Sequence, residues 1–301
     1  MSLLIRVERA LDAHFERALG QGGPLGLEKA MRHAVFSGGA RIRPQLCLAV
    51  SMACGDHDPE FSDAAAVALE LMHCASLVHD DMPAFDNADQ RRGRPSVHKA
   101  FGEPLALLCG DALIVMAYQV LLNVASSHPQ RTCEVMQNLT QGVGLPNGIV
   151  AGQAWECESR ADLQTYQRAK TGALFVASVR AGALVNGHDP QDWSALGDYL
   201  GQAYQAADDI RDVLGQAQAL GKPVGQDALL GRPSVMKDLG LEGALAYFDD
   251  LILRAIESVP ACTCRDMLQQ LVRLEAMRLI PSEMARQAGV QAHAATRVLA
   301  T

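Results

Sequence analysis

The chain has 301 residues, of which 49% are hydrophobic and 20% charged, a composition typical of a globular protein with a large core. The formal net charge of −8 at pH 7 and an isoelectric point near 5.6 argue against a nucleic-acid partner, which would call for a basic face. We expect no transmembrane segment and a cytoplasmic location, because no apolar run approaches about 18 residues and the charged N-terminus lacks a signal peptide's apolar segment.

Long Ala/Leu-rich stretches recur along the chain, and alternating strand patterns are scarce. Residues 1–19 predict an amphipathic helix. Ser62 is expected to cap a second helix that runs to about Met82, because Pro83 removes a backbone donor and ends it.

Two further helices can be bounded in the same way. Pro104 suits the first turn of a helix that ends before His128. Asp192 is expected to cap another that runs to Gly215. These helices are apolar on most faces and should lie inside a bundle. The sequence predicts an all-α protein with a single domain spanning 1–301.

Eight cysteines are scattered through the chain, mostly within apolar runs. They form no CxxC pair, so neither a zinc site nor a redox dithiol is indicated. We expect reduced thiols in the core.

The first aspartate cluster lies at the end of an apolar helix. Asp80 and Asp81 there oppose the helix dipole, so a compensating divalent cation is expected. Pro83 lets the chain turn back, which would bring Asp86 to the same ion. Carboxylates followed by arginines suit a magnesium–diphosphate complex. The arginines that follow are Arg91, Arg92 and Arg94.

The second cluster contains Asp208, Asp209 and Asp212. The spacing of four places Asp208 and Asp212 on one helical face, a turn apart. Arg211 lies between them and weakens a purely electrostatic interpretation. A solvated acidic helix end, or ion pairing between the clusters and the arginines, remains the alternative to a metal site.

The paired motifs, DDxxxxD followed by RRGRP and a later DDxxD, resemble those of the polyprenyl diphosphate synthase family. Segments 38–44, 169–175, 204–209 and 220–227 agree, so the resemblance covers roughly residues 35–235. In detail the chain looks most similar to bacterial geranylgeranyl diphosphate synthases of carotenoid and bacteriochlorophyll pathways. The resemblance implies an isoprenoid-synthase-type helical bundle around a central cavity.

The resemblance also implies the chemistry, which is the condensation of an allylic diphosphate with isopentenyl diphosphate. Dimethylallyl, geranyl and farnesyl diphosphate are the allylic candidates. Three Mg²⁺ ions would be held by the two clusters, that is by Asp80, Asp81, Asp86, Asp208, Asp209 and Asp212.

The remaining site residues follow from the same resemblance. Dipoles of the catalytic residues Lys170, Thr171 and Gln205 would face the developing allylic cation. The diphosphate groups would be bound by Arg43, His73, Arg91, Arg92, Lys170 and Lys222, with Arg232 as a further cation. A homodimer is expected as well.

One departure from the family pattern concerns the isopentenyl site. The family usually has Lys where this chain has Ala40 in GGARIRP, so one cation is missing unless Arg41 swings in. Arg232 also stands where many relatives have Lys, which replaces a point charge with a planar fork.

Product length can be predicted from the helix before Asp80. In farnesyl diphosphate synthases the fifth position before the first Asp is typically aromatic, whereas here it is Ala75, beside Ser76. At about 1.5 Å per residue, Ala75 is about 7.5 Å and Met72 about 12 Å from Asp80, so a C20 tail can pass.

Three alternatives remain open from the sequence. The chain could be a farnesyl or longer-chain synthase, a class I terpene cyclase, or a non-catalytic partner subunit of another synthase. The regular second DDxxD motif and the basic pocket argue against a cyclase, and the intact aspartates argue against a non-catalytic subunit.

Overall fold

The computed structural model describes residues 2–19, 22–158, 163–214 and 235–280. Its main elements are helices, which confirms the all-α prediction. The helices are α1 Leu3–Leu19, α2 Leu25–Val35, α3 Ile42–Ala53, α4 Pro59–Asp80, α5 Val97–Phe101, α6 Glu103–Val124, α7 Pro129–Val143, α8 Ile149–Trp155, α9 Leu163–Gln167, a π-helix Arg168–Gly172, α10 Ala173–Leu184, α11 Gln191–Leu214, α12 Val235–Glu257 and α13 Arg265–Leu279.

Helix boundaries follow local chemistry, with two corrections to the sequence predictions. Asp58, not Ser62, caps α4, because its carboxylate accepts from the Phe61 amide at 3.2 Å. Ser62 is buried one turn inside the helix. At the start of α11, the Asp189 carboxylate accepts from the Gln191 amide at 2.8 Å, while Asp192 lies in the first turn. Pro104 does occupy the first turn of α6, as predicted.

Two clusters of buried hydrophobic residues hold the bundle together. One joins α1, α2, α4, α6 and α7, and the other joins α11, α12 and α13. Helices α3 and α10 contribute to both clusters. Glycine permits the close contact between these two helices, since a Cβ at Gly182 would lie 2.3 Å from the Cys47 carbonyl oxygen. The pair α3–α10 therefore connects the two clusters.

By length and composition alone, two helices are long and apolar enough to cross a membrane, although no apolar run of about 18 residues was expected. The apolar window of Pro59–Asp80 is 78% buried within the protein, so its hydrophobicity is explained by core packing. The window of Glu103–Val124 is only 44% buried, and its exposed apolar residues are considered below.

The β-structure within the described residues is one short two-stranded hairpin. Strand β1, Gln90–Arg91, pairs antiparallel with β2, Arg94–Pro95. Arg92 and Gly93 at the turn have φ of 55° and 74°, which a two-residue hairpin requires. The hairpin carries Arg91 and Arg92 back towards the end of α4.

Candidate active site

The end of α4 folds back so that the first and last aspartates of its motif lie together. The Asp86 amide donates to the Asp80 carbonyl oxygen at 3.0 Å, and the Ala88 amide donates to that of Asp81 at 3.1 Å. This is the turn that Pro83 was expected to permit. Asp80 and Asp86 both line a cavity of about 450 Å³.

The cavity is bordered by both aspartate-bearing helices and by the hairpin. Its lining residues are Arg43, His73, Ser76, Leu77, Asp80, Asp86, Gln90, Arg91, Arg92, Ile149, Gln153, Tyr166, Lys170, Thr171, Tyr204, Gln205, Asp208, Arg211 and Asp212. The structure therefore brings together most of the predicted site residues that it describes. Lys222 and Arg232 lie outside the described residues.

In each aspartate pair only the first residue borders the cavity. Asp81 is 3% exposed and Asp209 is 2% exposed, whereas Asp80 and Asp208 line the cavity wall. Successive residues of a helix point about 100° apart, and here the second member of each pair points into the protein interior. The predicted role of Asp81 and Asp209 as direct ligands stays a prediction.

The buried members of the pairs hold other side chains. Asp81 accepts from Arg91 Nε at 3.0 Å, and burial raises the pKa of the Asp81 carboxyl although Arg91 acts in the opposite direction. Asp209 accepts from Gln205 Nε2 at 2.9 Å and from the Val235 amide, at the start of α12, at 2.8 Å. Each buried aspartate thus positions a residue of the cavity.

A third carboxylate joins the first cluster. Oxygen atoms of Asp80, Asp86 and Glu156 all lie within 4.8 Å of one another, a spacing that one cation could bridge. Oxygen ligands of this kind suit a hard divalent ion such as Mg²⁺, so the residues fit the predicted metal. Sequence reasoning missed Glu156, because it lies outside both aspartate motifs.

Lys170 lies beside this cluster. Its Nζ is 3.4 Å from Asp80 Oδ1 and forms an ion pair with Glu156. The next residue, Thr171, donates from Oγ1 to Gln205 Oε1 at 2.8 Å. Lys170 and Thr171 both lie in the π-helix, a form that is often found at functional sites. The grouping of Lys170, Thr171 and Gln205 at one cavity wall agrees with their predicted proximity.

The second cluster occupies the wall formed by α11. Asp208 and Asp212 both line the cavity, as the spacing of four predicted. Arg211 forms an ion pair with Asp208, so part of the negative charge is neutralised within the helix. The alternative of internal ion pairing therefore applies to Asp208 in the structure described.

Basic side chains gather on one side of the cavity. Arg43 stacks over the Phe175 ring at 4.4 Å, and its Nη1 lies 3.4 Å from His73 Nε2. Burial, followed by the charge of Arg43, lowers the pKa of His73 well below its ordinary value. Within the described part of the chain, no acceptor pairs with the buried Arg43 Nε. An anionic group would satisfy that donor.

Arg92 completes this side from the hairpin, and its guanidinium donates to the Gly38 carbonyl oxygen. Ala40 follows two residues later and is exposed. Arg41, which could have replaced the missing lysine, is 3% exposed and donates to Glu70 at 2.7 Å and to Glu8 at 2.8 Å. Arg41 therefore does not reach the basic side of the cavity.

The residues predicted to set product length lie on different faces of α4. Met72 and Ala75 are 2% and 1% exposed and are packed in the core. Ser76 and Leu77 line the cavity instead, and Ser76 Oγ donates to the His73 carbonyl oxygen at 2.8 Å. Whether a tail passes Ala75 stays a prediction.

Comparisons with known proteins agree with this geometry. Residues 25–270 match the model of a family described as polyprenyl synthetase. The chain is 49% identical to a geranylgeranyl diphosphate synthase of Cereibacter sphaeroides over 93% of this chain and 97% of the relative. It is 50% identical to that of Rhodobacter capsulatus with the same coverage. An FPP/GFPP synthase structure from Zymomonas mobilis has a TM-score of 0.78, 32% identity and coverage of 91% and 98%. These matches confirm the predicted resemblance and bundle type.

Proposed function

Since the chain belongs to the polyprenyl synthetase family, we propose that it is a trans-prenyltransferase that condenses an allylic diphosphate with isopentenyl diphosphate. The observation that carries the proposal is one cavity that is lined by Asp80 and Asp86 at the end of α4, by Asp208 and Asp212 of α11, and by the basic residues Arg43, Arg91, Arg92 and Lys170. Geranylgeranyl diphosphate, a C20 compound, is the proposed product, because two relatives about half identical in sequence carry that name.

We propose that Asp80, Asp86, Asp208 and Asp212 hold Mg²⁺, with three ions in the loaded enzyme. Bound Mg²⁺ would supply positive charge that stabilises the diphosphate as it leaves. Asp81 and Asp209 would support the site by holding Arg91 and Gln205. Exhaustive chelation should abolish turnover, and added Mg²⁺ should restore it.

The protein's own cations assist at the leaving group. Arg91 pairs with Asp80 and Asp81, and Lys170 lies 3.4 Å from Asp80, so both can reach an anion bound beside that aspartate. The Thr171 hydroxyl donates a hydrogen bond to Gln205 Oε1, so the lone pairs of Thr171 Oγ1 remain available to face the allylic cation. Lys222 and Arg232 keep the roles that the resemblance implies.

Isopentenyl diphosphate would bind at the basic side. Arg43, with its unpaired buried Nε, and Arg92 would hold its diphosphate, and neutral His73 could donate one hydrogen bond. The missing lysine at Ala40 should weaken this site relative to a site with that cation. The attacking double bond would then lie between the two diphosphates.

A homodimer is proposed from the exposed face of α6. Leu108, Val115 and Leu122 recur every seven residues and are 51%, 54% and 57% exposed. A row of large apolar side chains on one helix is typical of an interface. Light scattering of the wild type should give twice the monomer mass, and that of Val115→Glu should give the mass of a single monomer. A monomeric wild type at micromolar concentration would contradict the proposal.

A cytoplasmic location and a role in carotenoid formation remain predictions from the resemblance. The central experiment incubates the protein with Mg²⁺, radiolabelled isopentenyl diphosphate and each of the three allylic primers. Labelled C20 alcohol after phosphatase treatment supports the proposal. A labelled C15 product, or labelled products longer than C20, would identify another synthase, whereas an unlabelled cyclic product or no product would contradict prenyl transfer.

A further inference from the structure

Lys170 is held by a carboxylate that belongs to neither aspartate motif. Glu156 follows α8 directly and forms an ion pair with Lys170, in addition to the 3.4 Å contact of Lys170 with Asp80. The side chains of Glu156 and Lys170 are 13% and 21% exposed, so the pair is largely screened from solvent. Lysine has a flexible stem, and its ammonium needs such a partner to stay at one position.

Glu156 is itself fixed by two neutral donors. Tyr166 donates from its hydroxyl to Glu156 Oε1 at 2.6 Å, and Gln153 Nε2 donates to Oε2 at 3.1 Å. Tyr166 also lies beneath the ammonium group, with its ring centre 6.0 Å from Lys170 Nζ. One tyrosine thus contacts both members of the ion pair.

The backbone sets this arrangement. Helix α8 packs so closely on the π-helix that a Cβ at Gly152 would lie 2.3 Å from the backbone nitrogen of Lys170. Glu156 lies one turn further along, where a carboxylate opposes the dipole of the helix end and is stabilised by a nearby cation. The close contact therefore places the carboxylate beside the lysine.

We propose that Glu156, fixed by Tyr166, is a positioning residue that holds the Lys170 ammonium at the edge of the aspartate cluster, ready for the allylic diphosphate. The inference rests on the proposed function, since it assigns the task of Lys170 to leaving-group binding. An ionised carboxylate accepts about four hydrogen bonds. Glu156 accepts at least three among the described residues, from Tyr166, Gln153 and Lys170, which favours positioning over metal ligation.

Tyr166→Phe is the sharpest test, because it removes one hydroxyl and keeps the ring. We expect kcat to fall about 10-fold while KM for isopentenyl diphosphate and the half-saturating Mg²⁺ concentration stay unchanged. The kcat of Glu156→Gln should fall further. The kcat of Glu156→Asp should be lowered less, because aspartate keeps the negative charge. Tyr247→Phe is the matched control, since its hydroxyl donates to Gln202 at 3.1 Å outside the cavity.

A double-mutant cycle separates positioning from general structural support. In a Lys170→Met background, Tyr166→Phe should have less than about a 2-fold further effect, because the positioned group is gone. A full 10-fold further loss in that background would overturn the inference. So would a raised Mg²⁺ requirement in Glu156→Gln, which would make Glu156 a metal ligand.

Binding gives a readout that does not depend on turnover. Calorimetry with a thiolo-diphosphate analogue of geranyl diphosphate, at saturating Mg²⁺, should show about 10-fold weaker binding for Tyr166→Phe and wild-type binding for Tyr247→Phe. An unchanged affinity of Tyr166→Phe for the analogue would contradict the positioning role of Glu156 but not the proposed function. A wild type that neither binds the analogue nor condenses substrates would instead refute the proposed function.

Discussion

Arg41 donates from Nη1 to Glu70 at 2.7 Å, and the two side chains are 1% and 2% exposed. Arg41 also donates to Glu8 and to the Val35 carbonyl oxygen. Burial opposes the charge of Arg41, but Glu70 and Glu8 raise its pKa above the ordinary value. Its backbone has φ of 50°, an uncommon conformation that these contacts stabilise. The residue is structural and cannot serve the substrate.

Arg41→Met should destabilise the fold by about 3–5 kcal/mol, because it leaves Glu70 buried without its partner. The free energy of unfolding in urea measures this. Arg32→Met is the control, since Arg32 pairs with the exposed Glu16 and should cost less than about 1 kcal/mol. An unchanged stability with a raised KM for isopentenyl diphosphate would show that Arg41 serves the substrate after all.

Because Arg41 is committed elsewhere, the cation missing at Ala40 has no substitute from its neighbour. Ala40→Lys should lower KM for isopentenyl diphosphate about 5-fold by adding one charge-assisted contact at an exposed position. Ala40→Gln, similar in length but uncharged, controls for contact alone. The gain should shrink as salt concentration rises. Equal effects of the two variants would argue against an anion at this place.

The two members of the second aspartate pair should behave differently on substitution. Asp208→Ala should lower turnover by several orders of magnitude and leave stability nearly unchanged, because Asp208 borders the cavity. Asp209→Ala should cost about 1–3 kcal/mol of stability, since the Gln205 side chain and the buried Val235 amide lose their acceptor. Urea unfolding and steady-state assays of both variants compare these effects. Equal loss of stability would contradict the assignment.

The sequence predicted the parts of the site that depend on helix periodicity and chain breaks. Pro83 indicated the turn that returns Asp86 to Asp80, and the spacing of Asp208 and Asp212 indicated a shared face. Whether the second member of each pair faces the cavity depends on how α4 and α11 are rotated by packing, which no local pattern reveals.

Contacts between distant segments were missed for a different reason. Glu156 reaches the first cluster only because Gly152 lets α8 lie against the π-helix, a tertiary contact without a sequence signature. Asp58 replaced Ser62 as the cap of α4, since Pro59 allows the helix to begin one turn earlier than the apolar pattern suggested. Arg41 looked available because its buried partner Glu70 is 29 residues away.

His73 predicts a pH dependence of stability. Burial and the charges of Arg43, Arg92, Arg91 and Arg41 lower the pKa of His73, so the folded ring stays neutral while an unfolded histidine binds a proton below about pH 6.5. Stability from this residue is therefore present above that pH and is lost as pH falls.

His73→Gln should remove that loss. Between pH 7.5 and 5.5 the unfolding free energy of the wild type should fall by up to about 1 kcal/mol more than that of the variant. His188→Gln, at an exposed position, is the control substitution. Parallel slopes for the wild type and His73→Gln would show that His73 titrates normally in the folded state.

The last prediction concerns product length. Ala75 is 1% exposed on α4, five residues and about 7.5 Å before Asp80, while its neighbour Ser76 lines the cavity. An aromatic ring at Ala75 should fill the space that a fourth isoprene unit needs. Ala75→Phe is therefore expected to shift the main product from C20 to C15, measured by chain-length analysis of labelled alcohols.

Two variants separate blockage from general overpacking, which costs about 1–3 kcal/mol. Ala68 lies seven residues earlier on the same face of α4 and is also 1% exposed. Ala68→Phe should keep the C20 product, because its ring lies about 10.5 Å further from Asp80 along the helix. Ser76→Phe tests the neighbouring path at the cavity wall. If only Ser76→Phe shortens the product, the tail passes Ser76 and not Ala75. If the wild type itself makes C15, the chain-length argument is wrong, while prenyl transfer is unaffected.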